Sequence, residues 1–562
     1  MATGSALLID EYFDAADERF VDELLSSTNG KKLKNLAARW YRDGRPFARR
    51  ALLRYIDDGC DRPHHRPLVK ALFKLAEKAN DDEAIGHFMA AFDRLVRRKL
   101  TQAHRWNRQQ GSYTVMELRA DASVPGALGS HESRAPKFSR RTRLYLCRRA
   151  FRYFRVIART DVARYGRAIR AALPLYRDEH LDTPERILDA WGLMHALYWG
   201  SPVLVRDPRG IKVAAGRSLG ELEPAPFAAE AWRDAFDPLF ELLERAKSRT
   251  VRVFAIALLR RDHADALRSL PLRRVRNLLR SPNDEVQTFA AELLRTASGV
   301  QNLSVEEWLE LLKIENPSAI PLLCELVEKT VRPERLSLAQ TVALASAQAA
   351  PVAELGLRWT KQKPVSDEAA LTTVLGLARA GAPQVRAEAI AWVTEILAKA
   401  TFAKPEHVRD LLDARFADVR AQGLALVEKD ARFSTSIVLW GALSESPYDD
   451  ARAFLVKHLR ERERSFGPEA LRGLWATTLL AVHRGGRAKR TALNQIAARV
   501  AHHPSEAESL LPLLGIALRS VRAPERRTAI AAVASAVARE PAIGRAVARL
   551  LPELKIEREA VL

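Results

Sequence analysis

The chain is 562 residues long, 47% hydrophobic and 28% charged, with a formal net charge of +21. That length exceeds what one compact core usually fills, and ample apolar content with charges of both signs excludes wholesale disorder. No apolar run reaches the roughly 18 residues of a membrane span. The acidic opening "MATGSALLIDEYFDAADERF" lacks the basic region of a secretory signal, and three scattered cysteines (Cys60, Cys147 and Cys324) predict reduced thiols in a cytoplasmic protein.

The charge is local. From Lys31 to Arg170 there are 34 Lys+Arg against 13 Asp+Glu, and the other 422 residues carry 56 of each sign. A uniform compositional bias would spread the surplus evenly, so its concentration in one quarter of the chain points to an anionic partner for that quarter.

In chain order, the first basic cluster is "KKLKNLAARWYRDGRPFARRALLRY", Lys31 to Tyr55, which interleaves Trp40, Tyr41 and Phe47 with cations and begins with Lys31, Lys32 and Lys34. Apolar residues there and in "PLVKALFKLAEKA" recur every three and four positions, which predicts helices. A second cluster, "RLVRRKLTQAHRWNRQQ", holds Arg97, Arg98, Lys99, Arg105 and Arg108, with Trp106 between polar neighbours. Aromatic side chains among arginines suit stacking on exposed bases. The polar stretch 120–138 predicts a long irregular loop.

Ser139–Arg159, "SRRTRLYLCRRAFRYFRVIAR", holds eight arginines, and no acid occurs from Ser133 to Thr160. On a helix at 100° per residue, Arg141, Arg148, Arg152, Arg155 and Arg159 fall within about 40° of one line, with Tyr145 on the same stripe. The other half carries Leu146, Cys147, Ala150, Phe151, Tyr153, Phe154, Ile157 and Ala158, an apolar face that must dock on a core. The five arginines span about 27 Å at 1.5 Å per residue, a length suited to a phosphate backbone. The competing reading is a solvated face whose arginines pair with acids of neighbouring helices; pairing within the helix is ruled out by the missing acids.

After it, "SPVLVRDPRGIKV" (Ser201–Val213) places two short β-branched runs around a turn at Asp207–Gly210, which predicts a small hairpin. It sits in a linker, 201–228, that continues through "ELEPAPF". Then a pattern repeats: "NDEVQTFAAELL", "APQVRAEAIAWV", "FADVRAQGLALV", "YDDARAFLVKHL" and a weaker "APERRTAIAAVA". Taking Val286, Val385, Val419, Ala451 and Glu525 as equivalent, the gaps of 99, 34, 32 and 74 residues are three, one, one and two copies of a unit of 32–37 residues. A helical hairpin of that size cannot bury its apolar face alone, so copies must stack.

This pattern, with Arg386, Arg420 and Arg452 at one position of the second helix, resembles the HEAT and armadillo-like α-solenoid family from about Ala229 to the C-terminus. The resemblance implies a superhelical scaffold that binds proteins or nucleic acids without catalysis. The expected architecture is all-α: a basic helical domain over 1–200, the linker over 201–228 with its hairpin, and a HEAT-like solenoid over 229–562.

No catalytic constellation is argued from spacing. Cys60, His64 and His65 in "CDRPHHRP" lack a fourth ligand for zinc. "GIKVAAGRS" has five residues between its glycines and Arg217 in place of the phosphate-loop lysine. His195, between Trp191 and Trp199 in "DAWGLMHALYWG", reads as a core residue. No cofactor or metal is expected. The leading reading is a non-enzymatic scaffold whose basic N-terminal region binds nucleic acid, RNA or single strands before a specific duplex, while its neutral repeat array binds protein. Behind it stands a protein-only scaffold docking an acidic partner. A HEAT-like DNA glycosylase is a third reading, with Asp161 the only acid close to the arginine helix.

Overall fold

The computed structural model describes residues 6–94, 98–107, 111–121, 138, 140–207, 210–460, 466–480 and 486–554. For residues 98–107, 112–121, 140 and 141 the description is of the backbone alone. Among the described residues the fold is all-α apart from two antiparallel two-stranded hairpins. None of the described helices is long and apolar enough to cross a membrane. The chain divides into two compact units, Met1–Asn302 and Leu303–Leu562.

The first unit begins with helices whose burial follows their apolar spacing. Gly30–Arg42 buries Leu33, Leu36, Ala37 and Trp40, and Arg66–Ala79 buries Leu68, Val69, Leu72, Phe73 and Ala76. The longest helix, Arg140–Thr160, follows, with all eight residues of its expected apolar face buried. Helix Asp82–Arg94 and helix Trp191–Tyr198 pack against it. The latter is nearly all buried, and at Gly192 an added Cβ would collide with Met89. Glycine there leaves room for the Met89 side chain.

The second basic cluster corrects the expectation of a helical region. Arg98–Asn107 (β1) pairs antiparallel with Ser112–Asp121 (β2), in a register that sets Trp106 opposite Tyr113 and Arg98 opposite Asp121. Gly111 lies in the turn at φ +56°, a conformation with little cost only for glycine. "YTV" alternates with β-forming residues, whereas Leu100, Ala103 and Trp106 recur every three positions, the spacing of a helix. Ala120 and Asp121, expected in the irregular loop, end β2; most of that loop (122–137) lies outside the described residues. The smaller hairpin is where the sequence puts it, Leu204–Asp207 (β3) with Gly210–Val213 (β4).

The repeats are held together by one recurring side-chain geometry. Six residues before each special position a helix-pair turn leaves a backbone carbonyl, and the side chain caps it. Arg386 donates to Ala380 O at 3.2 Å, Arg420 to Ala414 O at 2.8 Å, and Arg452 to Ser446 O. Gln287 does the same to Ser281 O at 2.7 Å, so its departure from arginine keeps the cap. The arginine then reaches the acid of the next repeat: Arg386 Nε to Asp418 at 2.8 Å and Arg420 Nε to Asp450 at 3.0 Å. Each guanidinium also stacks 3.7 Å from the centroid of an aromatic ring, Phe416 or Tyr448.

The same geometry identifies a copy missed in the sequence. Arg252 caps Ala246 O at 3.0 Å and pairs with Glu285 of the following repeat. The gap of 99 residues is filled by helices Ile320–Thr330 and Ala350–Lys361, and the gap of 74 by Gly486–His502. They were hard to read because their side chains at the special position are not arginine.

Candidate functional site

The arginine helix distributes its cations among three surroundings. Arg143 is buried and pairs with Asp189 at 3.3 Å. Arg149 pairs with Glu77 and donates to Tyr145 Oη at 2.9 Å. These acids come from 46 and 72 residues away in the chain, which is how a helix without local acids still finds partners. Neither arginine belongs to the predicted stripe.

Of the stripe, Arg148 lies 4.9 Å over the ring of Trp191 and Arg155 lies 5.0 Å over that of Trp199. Both are half-buried. Arg206, from β3, also lies over Trp199 at 5.2 Å and donates to the carbonyl of Tyr198 at 2.9 Å. Each such cation–π contact contributes about 0.5–2 kcal/mol. Arg152 and Arg159 face solvent. The side chain of Arg141 lies outside the described residues. The stripe is thus one line in sequence and two kinds of residue in space: two arginines seated on tryptophans and two projecting from the surface.

Tyr145 is 48% exposed, and Lys70 Nζ lies 5.6 Å from its ring centroid. This is an aromatic surface flanked by cations from two helices. Lys31, Lys32 and Lys34 are exposed on the first turns of Gly30–Arg42, whose N-cap Asn29 accepts from Lys32 N at 3.1 Å. Arg98, Lys99, Arg105 and Trp106 lie on β1, with side chains outside the described residues; Arg97 and Arg108 lie outside them altogether.

Other basic residues of this unit are paired. Arg49 binds Asp81 bidentately, at 2.5 and 2.8 Å. Arg164 binds Asp82, at 2.9 and 2.7 Å, and Arg54 reaches Asp22 at 2.6 Å. Several of these acids, such as Asp22 and Asp189, lie outside the basic quarter of the chain, so part of the local surplus is offset from its flanks.

Beneath the arginine helix is a polar centre that the sequence did not reveal. Asp93 is fully buried; Tyr176 Oη donates to it at 2.7 Å and Leu193 N at 3.0 Å. Burial pushes its carboxyl up to about 6, against those hydrogen bonds and the nearby Arg143. His195 lies between Trp191, Phe151 and Trp199. Its Nδ1 is 2.7 Å from Trp191 O, so that nitrogen carries the proton. Burial pulls its pKa down to about 4, helped by Arg206, Arg155 and Arg148. A neutral imidazole wedged between rings is a packing element. His65 is alike: its ring nitrogens meet Tyr55 Oη at 2.9 Å and Ser27 O at 3.2 Å, and Cys60 is buried. Among the described residues no three His, Cys, Asp or Glu side chains are grouped to hold a metal ion. Asp161 caps the next helix, accepting from Arg164 N at 2.8 Å.

No family model matches the chain, and no curated protein matches it. Among known structures, the karyopherin Kap121p bound to the SUMO protease Ulp1p is 12% identical, with 99% of this chain and 65% of that one covered and a TM-score of 0.22. A homology model of the full-length AP-3 complex is 12% identical, with 95% and 93% covered and a TM-score of 0.23. UNC-45 from Drosophila melanogaster is 11% identical, with 98% and 62% covered and a TM-score of 0.16. The chain spans less than two thirds of the karyopherin and of UNC-45. Likenesses at these scores carry no weight for fold or function, and the helical-repeat class rests on this chain's own paired helices and their arginine ladder.

Proposed function

We propose that the chain is a non-catalytic helical-repeat scaffold whose basic N-terminal region contacts single-stranded nucleic acid and whose repeats bind protein. The observation that carries the first half is the solvent-facing edge of the arginine helix: Tyr145, exposed beside Lys70, with Arg152 and Arg159 further along. An exposed aromatic ring among cations offers a base-stacking surface beside phosphate ligands. Lys31, Lys32 and Lys34 add exposed charge in the same unit. Contacts of this kind select for negative charge and not for sequence.

The experiment is binding of a fluorescent oligouridylate to the full chain across a salt series. Arg152→Gln with Arg159→Gln removes two exposed cations without touching the tryptophan pairs. It is expected to weaken binding and flatten the slope of log K against log salt by roughly 1.4 units, at about 0.7 per single-strand phosphate contact. Unchanged affinity and slope would reject the nucleic-acid half.

The second reading, a scaffold for proteins alone, draws on the internal pairs of Arg49, Arg143, Arg149 and Arg164, which turn part of the positive surplus inward. It predicts that nuclease treatment of the purified protein leaves its absorbance ratio unchanged.

A further inference from the structure

The repeats following Tyr448 enclose a groove of about 940 Å³, lined by the second helices of three successive pairs: Asp449–Leu459, Gly486–His502 and Ala523–Arg539. Its floor is made of small residues, mainly alanines from all three helices, with Thr491 and Ser535. The floor is braced from below. Trp475 Nε1 donates to Gln495 Oε1 at 3.1 Å, and Gln495 Nε2 donates to Val456 O at 2.6 Å. The rim carries Lys457, Arg460, Arg487 and Arg539, all exposed. Among the described residues none of the four has a carboxylate within ion-pair distance. The one further arginine of the lining, Arg499, is neutralised by Glu506 at 2.6 and 2.8 Å. Among the described residues no acid lines the groove.

We infer that this groove docks an acidic, extended peptide segment of a partner protein; the inference rests on the proposal that the repeats bind protein. Charge complementarity decides the sign of the partner. Four cations on one concave surface, with no acid among its described lining residues, repel one another, and an anionic occupant relieves this. Each arginine presents a fork that a carboxylate fills bidentately. The floor decides the shape. Three helices at 8–10 Å spacing give a path of about 20 Å, or about six residues at 3.3 Å each. A bed of alanines admits a main chain closely. The floor also argues against nucleic acid: Trp475 is 2% exposed with its Nε1 bonded, so the floor offers bases no indole face, and the exposed His502 is the one other ring among the described lining residues.

The test uses the full chain and a fluorescent decapeptide of alternating Glu and Ala, with the Gln/Ala decapeptide as control. The Glu peptide is expected to bind at least tenfold tighter than the Gln peptide. Two separate variants, Arg460→Gln with Arg487→Gln and Lys457→Gln with Arg539→Gln, should each weaken it fivefold or more. They change only exposed side chains, and a thermal melt checks folding. Arg152→Gln with Arg159→Gln should leave peptide binding unaltered, and a ten-nucleotide oligothymidylate should displace the peptide poorly. Equal binding of the two peptides, or unchanged binding to both groove variants, overturns the inference. Displacement by the oligonucleotide at or below the peptide's own concentration overturns it in favour of a nucleic-acid groove. Pull-downs from native extract separate this from the wider reading: partners retained equally by wild type and groove variants sink the groove alone, whereas no retained protein sinks the scaffold proposal as well.

Discussion

The basic quarter of the chain and the last repeats carry positive charge in opposite ways. Residues 31–170 are rich in cations by any count, yet Arg49, Arg143, Arg149 and Arg164 end on carboxylates and Arg148 and Arg155 on tryptophan rings. The repeats lie in the part of the chain that nets to zero, yet Lys457, Arg460, Arg487 and Arg539 gather around one groove whose described lining holds no acid. Net charge of a segment counts side chains, whereas a partner meets only those that packing leaves without an internal counter-ion. A sum over hundreds of residues hides a patch of four. Neutrality overall does not mean neutrality locally: residues 486–554 alone hold 11 Lys+Arg against 5 Asp+Glu.

The comparison breaks hardest if the two units do not respond separately to damage. At Gly356 an added Cβ would strike the backbone of Leu344 and Ala345, which cannot move aside as a side chain can. Gly356→Val is expected to destabilise the repeats by at least about 3 kcal/mol, lowering one thermal transition while the tryptophan environment of Trp191 and Trp199 persists; simultaneous loss of both would show the units are one cooperative block. Next in size is the ladder. Arg420→Met strands the carbonyl of Ala414 and frees Asp450, at a cost of about 2–4 kcal/mol by urea unfolding.

Acid destabilises the first unit. The unfolded chain protonates His65 and His195 near 6.5, whereas burial holds both near 4 in the fold. Stability is therefore lost as pH falls from about 6.5 towards 4, by roughly 2–3 kcal/mol for each histidine. Asp93 opposes this. Its folded value near 6 lies above the unfolded one, so its contribution is full below about 4 and is lost as pH rises to 6. The histidines prevail, and His195→Phe should flatten the acid limb of a plot of Tm against pH. The smallest effects sharpen the division within the stripe. Arg148→Gln and Arg155→Gln should each cost about 1 kcal/mol through the lost ring contact, against less than about 0.5 for Arg152→Gln or Arg159→Gln.

What was legible in the sequence follows from how local each signal is. The apolar face of the arginine helix, the β3–β4 hairpin and the repeats around Arg386 and Arg420 are written in spacings of a few residues, and they appear where expected. The β1–β2 hairpin was not written locally in the same way: around Trp106 the apolar Leu100, Ala103 and Trp106 fall three apart, a helical spacing. The counter-ions of Arg143 and Arg149, the tryptophan seats of Arg148 and Arg155, and the burial of Asp93 arise from segments 40–100 residues apart, and no local period encodes them. The rim of the C-terminal groove was invisible for a related reason: Lys457, Arg487 and Arg539 belong to three different repeats and meet only after stacking.

The arginine ladder has one further consequence, for the order in which the protein opens. Arg386 and Arg420 each clamp the repeat that follows, whereas Arg452 turns back to Asp449 of its own helix. Beyond Leu459 the described linkage changes in kind: the Gln495–Val456 hydrogen bond comes first, and the ion pairs Arg519–Glu553 and Arg549–Glu508 follow nearer the end. In a stack whose members hold only their neighbours, the stretch after that break is where amide hydrogens exchange soonest, with protection rising towards Arg386. The groove straddles the break, so an occupant bridging Lys457 and Arg539 would slow exchange on both sides at once, holding together what the arginine ladder leaves unlinked at that point.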